Sequence, residues 1–256
     1  MIFDTHAHYD DSDFDIDRDE LLSKMKESGV SHIVNIGASL ESTKRSVELA
    51  AKYDFIYAAV GVHPSDTAEL NEETFAWLRA QCNAKKVVAV GEIGLDYYWD
   101  EPDRAIQKEW FARQIALGRE VKLPLVIHSR DAAQDTIDIM KSEKAAEAGG
   151  ILHCFSYTKE TAKIFLDMDF SFGIGGVVTF KNAKKLKEAV EYIPMEKIVI
   201  ETDCPYLSPE PYRGKRNDSG RLIHVVEEIA RIKNIDKETV IKVTCSNALK
   251  MYGISY

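Results

Sequence analysis

Met1-Ile2-Phe3-Asp4-Thr5-His6-Ala7-His8 decides the fold through the residues at the end of its apolar run. Met1-Ile2-Phe3 reads as the start of a buried strand, on which a His-x-His pair sends both imidazoles to one side. An open doubly wound sheet normally carries a glycine-rich phosphate loop after its first strand. Here that position holds Thr5-His6-Ala7-His8 instead. Taken alone, two histidines at a strand end suit a divalent metal as well as they suit solvent.

Outward from that stretch, short β-branched runs alternate with amphipathic segments. Strands are expected at 1–5, 31–37, 56–61, 86–92, 124–128, 150–154, 170–174 and 197–202, and helices at 17–28, 40–53, 71–82, 102–121, 131–147, 158–167, 180–192 and 220–233. Eight such units make a closed parallel barrel the economical solution, because both faces of every strand are then buried. The expected class is α/β, a TIM (β/α)8 barrel with an additional C-terminal helix over 236–252, N-capped by Asp236. No Pro/Gly/Ser linker or low-complexity tract interrupts it, so 1–256 reads as a single domain. In the fourth helix Ile106, Trp110, Arg113, Ile115, Leu117 and Val121 give a mostly apolar stripe near helical spacing. Gly29 suits a left-handed C-cap position, and Pro124 a strand start that needs no ladder donor.

Composition narrows the function classes. A hydrophobic fraction of 45% supports a sizeable core. No run approaches the roughly 20 apolar residues of a membrane span, and the N-terminus lacks a signal pattern, which makes the cytoplasm the expected location. Cys82, Cys154, Cys204 and Cys245 have neither Cys-x-x-Cys spacing nor scaffold density and read as reduced, small buried filler. The net charge of -9 excludes a protein that coats nucleic acid through a broad basic surface, though not one with a nucleic-acid substrate. An acidic surface without an apolar stripe reads as a monomer with no obligate protein partner.

The residues just beyond each expected strand carry the chemistry: His6 and His8, Gly61-Val62-His63-Pro64, Gly91-Glu92-Ile93-Gly94-Leu95-Asp96, Ile127-His128-Ser129-Arg130, Leu152-His153-Cys154-Phe155, and Ile200-Glu201-Thr202-Asp203-Cys204-Pro205. Active sites of a TIM barrel are built at the carboxyl ends of its strands. Any one strand-end histidine or carboxylate has a dull explanation as a hydrogen-bonded or capping group. Four histidines and two carboxylates at strands one, four, five, six and eight, His6, His8, His128, His153, Glu92 and Asp203, supply ligands for two metal ions.

These motifs, together with Tyr97-Tyr98 after Asp96 and Pro211-Tyr212-Arg213-Gly214-Lys215-Arg216-Asn217, resemble the TatD family of metal-dependent deoxyribonucleases, within the wider set of amidohydrolase-like barrels. The resemblance covers essentially the whole chain. It implies that His6, His8, Glu92 and Asp203 hold one ion and that Glu92, His128 and His153 hold a second, with Glu92 bridging. A carboxylate can span ions about 3.5–4 Å apart. The family implies Mg2+; a donor set of His, Glu and Asp without thiolate also suits Mn2+ or Zn2+, which the histidines favour. After Arg216-Asn217 the family commonly continues with Glu-Pro, whereas this chain has Asp218-Ser219, which puts the geometry of that loop in question.

The expected reaction is metal-assisted hydrolysis of DNA phosphodiester bonds, as an exonuclease on single-stranded or frayed ends. Asp203 is the candidate base and Glu92 the second catalytic carboxylate. Arg130, Arg213, Lys215 and Arg216 are candidates for phosphate contact, and His63 for a supporting or phosphate-facing role. Tyr97, Tyr98 and Trp99 either stack bases or pack. His32, at the start of a strand, and His224, within a helix, read as structural or solvent-facing. One rival is an amidohydrolase acting on a C–N or ester bond, including deacylation of aminoacyl-tRNA. Glu92 stands where many such barrels carry a carboxylated lysine, which favours phosphoester chemistry. A non-catalytic, metal-stabilised binding module is a second rival, and the complete ligand set counts against it.

Overall fold

The computed structural model describes residues 1–255, so only Tyr256, the last residue of the expected domain, lies outside it. Eight strands form one sheet in chain order: β1 (Ile2–Ala7), β2 (Val30–Ile36), β3 (Ile56–Val60), β4 (Val87–Asp96), β5 (Leu125–Arg130), β6 (Gly150–Leu152), β7 (Ser171–Ile174) and β8 (Ile198–Ile200). Between and after them run α1 (Arg18–Ser23), α2 (Leu40–Lys52), α3 (Glu72–Gln81), α4 (Arg104–Val121), α5 (Ala133–Ser142), α6 (Lys159–Asp167), α7 (Lys184–Tyr192), α8 (Leu222–Lys233) and α9 (Lys237–Tyr252). The fold class is α/β, a TIM (β/α)8 barrel with the additional C-terminal helix α9.

The chain divides into two compact units. The first comprises 1–34, 154–166 and the described residues from 171 onward; the second comprises 35–153 and 167–170. In the first, β7 pairs with β8 in parallel, and a parallel bridge joins Ala7 to Cys204 beyond the end of β8. Tyr252 of α9 donates its hydroxyl to the carbonyl of Thr5 and stacks near Phe3, which ties the last helix to the first strand. In the second, β3, β4, β5 and β6 pair successively in parallel. Val90, Ile93, Leu95, Leu125 and Ile127 are fully buried there, as expected of strands with both faces covered.

Several boundaries differ from the sequence expectation for local reasons. The first helix stops at Ser23 rather than 28, and turns carry the chain to Gly29, whose positive φ of 81° ends those turns instead of capping the helix. The fifth helix stops at Ser142, because Lys144 adopts a left-handed conformation before a short 3-10 turn over Ala145–Glu147. The helix expected over 180–192 begins at Lys184. Strand β4 continues to Asp96, four residues past its expected end, with Gly94 opposite His128 and Asp96 opposite Arg130. Gly94 makes that extension feasible: at its φ of 150° a Cβ would stand 1.8 Å from the carbonyl oxygen of His128.

The inner face of α4 also differs. Ile106 is exposed, while Gln107, Trp110, Phe111, Gln114 and Leu117 are buried. Gln114 accepts the Val62 N–H and donates to the Val62 carbonyl. Gln107 does the same for Asp96, and also donates to the Pro102 carbonyl. Two amides one heptad apart thus pair the backbone at two strand ends of the second unit. A scan for apolar periodicity is blind to such positions.

Candidate functional site

In the first unit, His6 and His8 stand at and just past the end of β1, and alternation along the strand turns their rings to one side. Their Nε2 atoms are 3.1 Å apart. Asp203 Oδ1 lies 3.7 Å from the first and 3.4 Å from the second. A point equidistant from these three atoms is about 2 Å from each, which is the separation of a divalent ion from imidazole nitrogen and carboxylate oxygen. Two nitrogens and an anionic oxygen converging at that spacing, with no thiolate, fit a divalent metal.

Asp203 lies three residues beyond β8 in a left-handed conformation, φ 58°. Its N–H donates to the His6 carbonyl, its own carbonyl accepts from Tyr206 N–H, and His8 N–H donates to the Cys204 carbonyl. Backbone bonds between the two segments therefore fix the carboxylate against the imidazoles. Glu201, buried at the end of β8, accepts the Cys154 N–H.

Behind this cluster sits Asp4, fully buried and without a role in the sequence reading. It accepts the N–H of His6, the N–H and hydroxyl of Thr202, and the hydroxyl of Ser219. Burial pushes its carboxyl up to about 7 against the pull of those four bonds. Ser219 N–H in turn donates to the Tyr9 hydroxyl. Here the departure from the family pattern finds its structural answer. A proline at 219 has neither the N–H nor the hydroxyl, whereas serine joins Asp4 and Tyr9, and Asp218 accepts the Gly220 N–H at the start of the turn before α8. Ser219→Ala is expected to lose about 2 kcal/mol of stability and Ser219→Pro about 4 kcal/mol, because each lost bond strands a buried polar partner. Urea denaturation with both variants checks this; equal midpoints for Ser219→Ala and the unsubstituted chain would exclude it.

In the second unit the centre is Glu92, buried within the extended β4. Its Oε1 lies 2.8 Å from His128 Nδ1, 3.6 Å from His153 Nε2 and 3.8 Å from His63 Nε2. His128 lies on β5, while His63 and His153 lie just past β3 and β6. His128 Nε2 is 3.2 Å from Asp96 Oδ2. Donation there leaves Nδ1 as the atom that presents a lone pair, the arrangement by which a carboxylate orients a metal-ligating imidazole. Burial depresses His128, but Asp96 and Glu92 more than offset it and raise it above the ordinary range. Burial raises Asp96, yet the contact with His128 and the N–H groups of Trp99 and Tyr98 prevail and hold it at about 2.

His63 behaves differently from its neighbours. Its Nδ1 accepts the Ser65 N–H, which places the proton of the neutral ring on Nε2. It therefore faces Glu92 as a donor. The ligand atoms of His63, Glu92 and His128 lie close enough together to hold an ion in this unit, with His153 Nε2 3.6 Å from Glu92 Oε1.

Sequence reasoning gave no role to Asp96, which meets His128, to Gln107 and Gln114, which pair backbone groups at the strand ends, or to the Asp4–Ser219–Tyr9 group. For Asp96 a signal was present: an acid two residues beyond Gly94, the register partner of His128, in a glycine-punctuated strand. The basic residues divide. Arg130, Arg213 and Lys215 are exposed, with the Arg213 guanidinium over the Phe180 ring. Arg216 is instead bound bidentately to Asp17 and to the Asp13 carbonyl, with its guanidinium over Phe14, so its hydrogen-bonding capacity is committed to the fold. His32 stacks on Phe3, and His224 pairs with Glu227; neither joins a ligand cluster among the described residues. The four cysteines form no disulfide among the described residues, and Cys82, Cys204 and Cys245 are buried. No helix is long and apolar enough to cross a membrane.

Comparison with known proteins agrees with the ligand chemistry. The family model described as TatD related DNase matches residues 3–253. The chain is 46% identical over 255 residues to the metal-dependent hydrolase YabD of Bacillus subtilis (strain 168), covering 100% of each chain. It is 31% identical over 256 residues to the 3'-5' ssDNA/RNA exonuclease TatD of Cronobacter sakazakii, covering 98% of this chain and 97% of that one. Among solved structures, YJJV, a TatD homologue from Escherichia coli K12, superposes with a TM-score of 0.93 at 26% identity, over 99% of this chain and 98% of that one. Matching across nearly its full length and carrying histidine–carboxylate clusters at its strand ends, the chain belongs to the TatD family of metal-dependent hydrolases.

Proposed function

We propose that this protein is a nuclease that hydrolyses phosphodiester bonds of DNA from single-stranded or frayed ends, with one divalent ion at each of the two ligand clusters. The observation that carries this reading is the His6–His8–Asp203 triangle, whose donor spacing matches a divalent ion. The exonuclease named for the Cronobacter relative supplies the substrate class. When bound, divalent ions act as Lewis acids that polarise the phosphoryl group, acidify the attacking water and offset charge on the leaving oxygen.

The chain's own residues do the rest. His6, His8 and Asp203 would hold one ion, and Glu92, with His128 and His153, would hold the other. Asp203 Oδ takes the proton from the attacking water. His63 Nε2–H, fixed as a donor by Ser65, stabilises charge on a phosphate oxygen. Arg130, Arg213 and Lys215 pair with neighbouring phosphates; Arg216 shapes the loop through Asp17.

A metal-depleted preparation given end-labelled single-stranded DNA, duplex DNA and an aminoacyl-tRNA tests the reading. Return of Mg2+, Mn2+ or Zn2+ is expected to restore release of mononucleotides from the single strand, faster than from the blunt duplex. Deacylation of the aminoacyl-tRNA without DNA cleavage would overturn it.

A further inference from the structure

Trp99 and Tyr98 are the large aromatic side chains that the second unit leaves most open, at 65% and 56% exposed. They directly succeed the metal-cluster strand β4, and their surroundings are ordered rather than loose. Asp96 Oδ1 accepts both of their N–H groups, while Oδ2 of the same carboxylate meets His128. Tyr97 N–H donates to the Arg130 carbonyl, and the Tyr97 hydroxyl donates to Asp135. Asp100 closes the segment in a left-handed turn, held bidentately by Arg104. The two rings meet edge to face, 5.1 Å between centroids.

The charges around the rings are distributed unevenly. Asp100 is neutralised by Arg104 and Asp135 by Lys108. Arg130 forms no ion pair among the described residues; its guanidinium lies against Tyr98, 3.8 Å from the ring centroid. An exposed cation held in place by an aromatic face is suited to phosphate. An exposed indole beside it offers a π-face that accepts any base.

From this arrangement we infer that Trp99 and Arg130 form a base-and-phosphate shelf: one unpaired base stacks on the Trp99 indole, and an adjoining phosphate meets Arg130, with Tyr98 positioning both. The inference rests on the nuclease reading and names its substrate as a strand with unpaired bases. A duplex end keeps its bases stacked on each other, so the shelf favours single strands and frayed ends. Asp96 couples the shelf to His128, which sets stacked base and metal cluster in a fixed relation within one unit.

The test measures affinity apart from cleavage. A fluorescent oligothymidylate and an abasic deoxyribose-phosphate strand of equal length are titrated against the full chain in EDTA, by anisotropy, for the unsubstituted protein, Trp99→Ala and Arg130→Gln. Trp99→Ala is expected to weaken oligothymidylate binding about ten-fold, as loss of one aromatic–base stack does, and to leave the abasic strand unaffected. Arg130→Gln is expected to weaken both strands alike. Equal affinity for the two strands in the unsubstituted protein, no response to Trp99→Ala, or no binding overturns the shelf; a patch that instead docks a protein gives one of these results. Base-dependent binding without cleavage on adding metal supports the shelf and overturns the nuclease reading. Cleavage with a KM indifferent to Trp99→Ala does the reverse.

Discussion

Asp203→Asn is expected to lower turnover on single-stranded DNA by about 10²–10⁴-fold, the usual contribution of a positioned general base, while the His6–His8 cluster still takes up its ion. The substitution is informative because of the backbone. Asp203 has φ 58°, a region that asparagine tolerates nearly as well as aspartate and that costs alanine about 1–2 kcal/mol. Its N–H bond to His6 and its carbonyl bond from Tyr206 are made by main-chain atoms and survive the change. The amide keeps one oxygen to face His8 and His6 and loses the ability to take a proton at pH 7. Asp203→Ala, by contrast, mixes strain, ligand loss and base loss in one measurement. Metal content by elemental analysis and single-turnover cleavage together decide the matter: bound metal with turnover within about ten-fold of the unsubstituted chain assigns Asp203 to ligation alone.

Much of this was legible in the chain. Short β-branched runs and helical patterning placed all eight strands and the helices, because burial of both strand faces leaves a continuous apolar signature. His6, His8, Glu92, His128, His153 and Asp203 stood out as candidates for a different reason: each comes at the end of an apolar run, where side chains must meet whatever the strand ends build. The residues that escaped have backbone or side-chain partners on other elements of the fold. Gln107 and Gln114 look like solvent-facing polar residues until the N–H and C=O of Asp96 and Val62 are placed beside them. Asp4 looks like a polar residue in a strand until Thr202 and Ser219 converge on it from about 200 residues away. The basic run Arg213–Arg216 was misleading in part, since sequence proximity cannot tell an arginine bound to Asp17 from one open to a ligand. Local pattern reports which face is buried; it does not report which buried polar groups find each other.

Glu92→Gln is the substitution with the widest consequences in the second unit. Glu92 brings one carboxylate oxygen, Oε1, within 3.8 Å of His63, His128 and His153. Glutamine preserves volume and removes the negative charge, so the cluster becomes a neutral pair of imidazoles and an amide. Loss of a supporting partner behind a ligand costs about 10–100-fold in metal affinity; loss of the anionic ligand itself takes that range as its floor. The expected result is a fall in metal content from two ions per chain to one, with turnover down by at least about 100-fold. Thermal unfolding supplies an independent readout. An ion present at 100 times its dissociation constant stabilises the fold by about 2.7 kcal/mol, or about 5–10 °C in a chain of this size. In Glu92→Gln the metal-induced rise in Tm is expected to shrink without vanishing, because His6, His8 and Asp203 keep their donor triangle. Two ions retained with unchanged turnover would show that Glu92 is not a ligand, and would move the second ion's anchoring to Asp96 and the histidines that surround it.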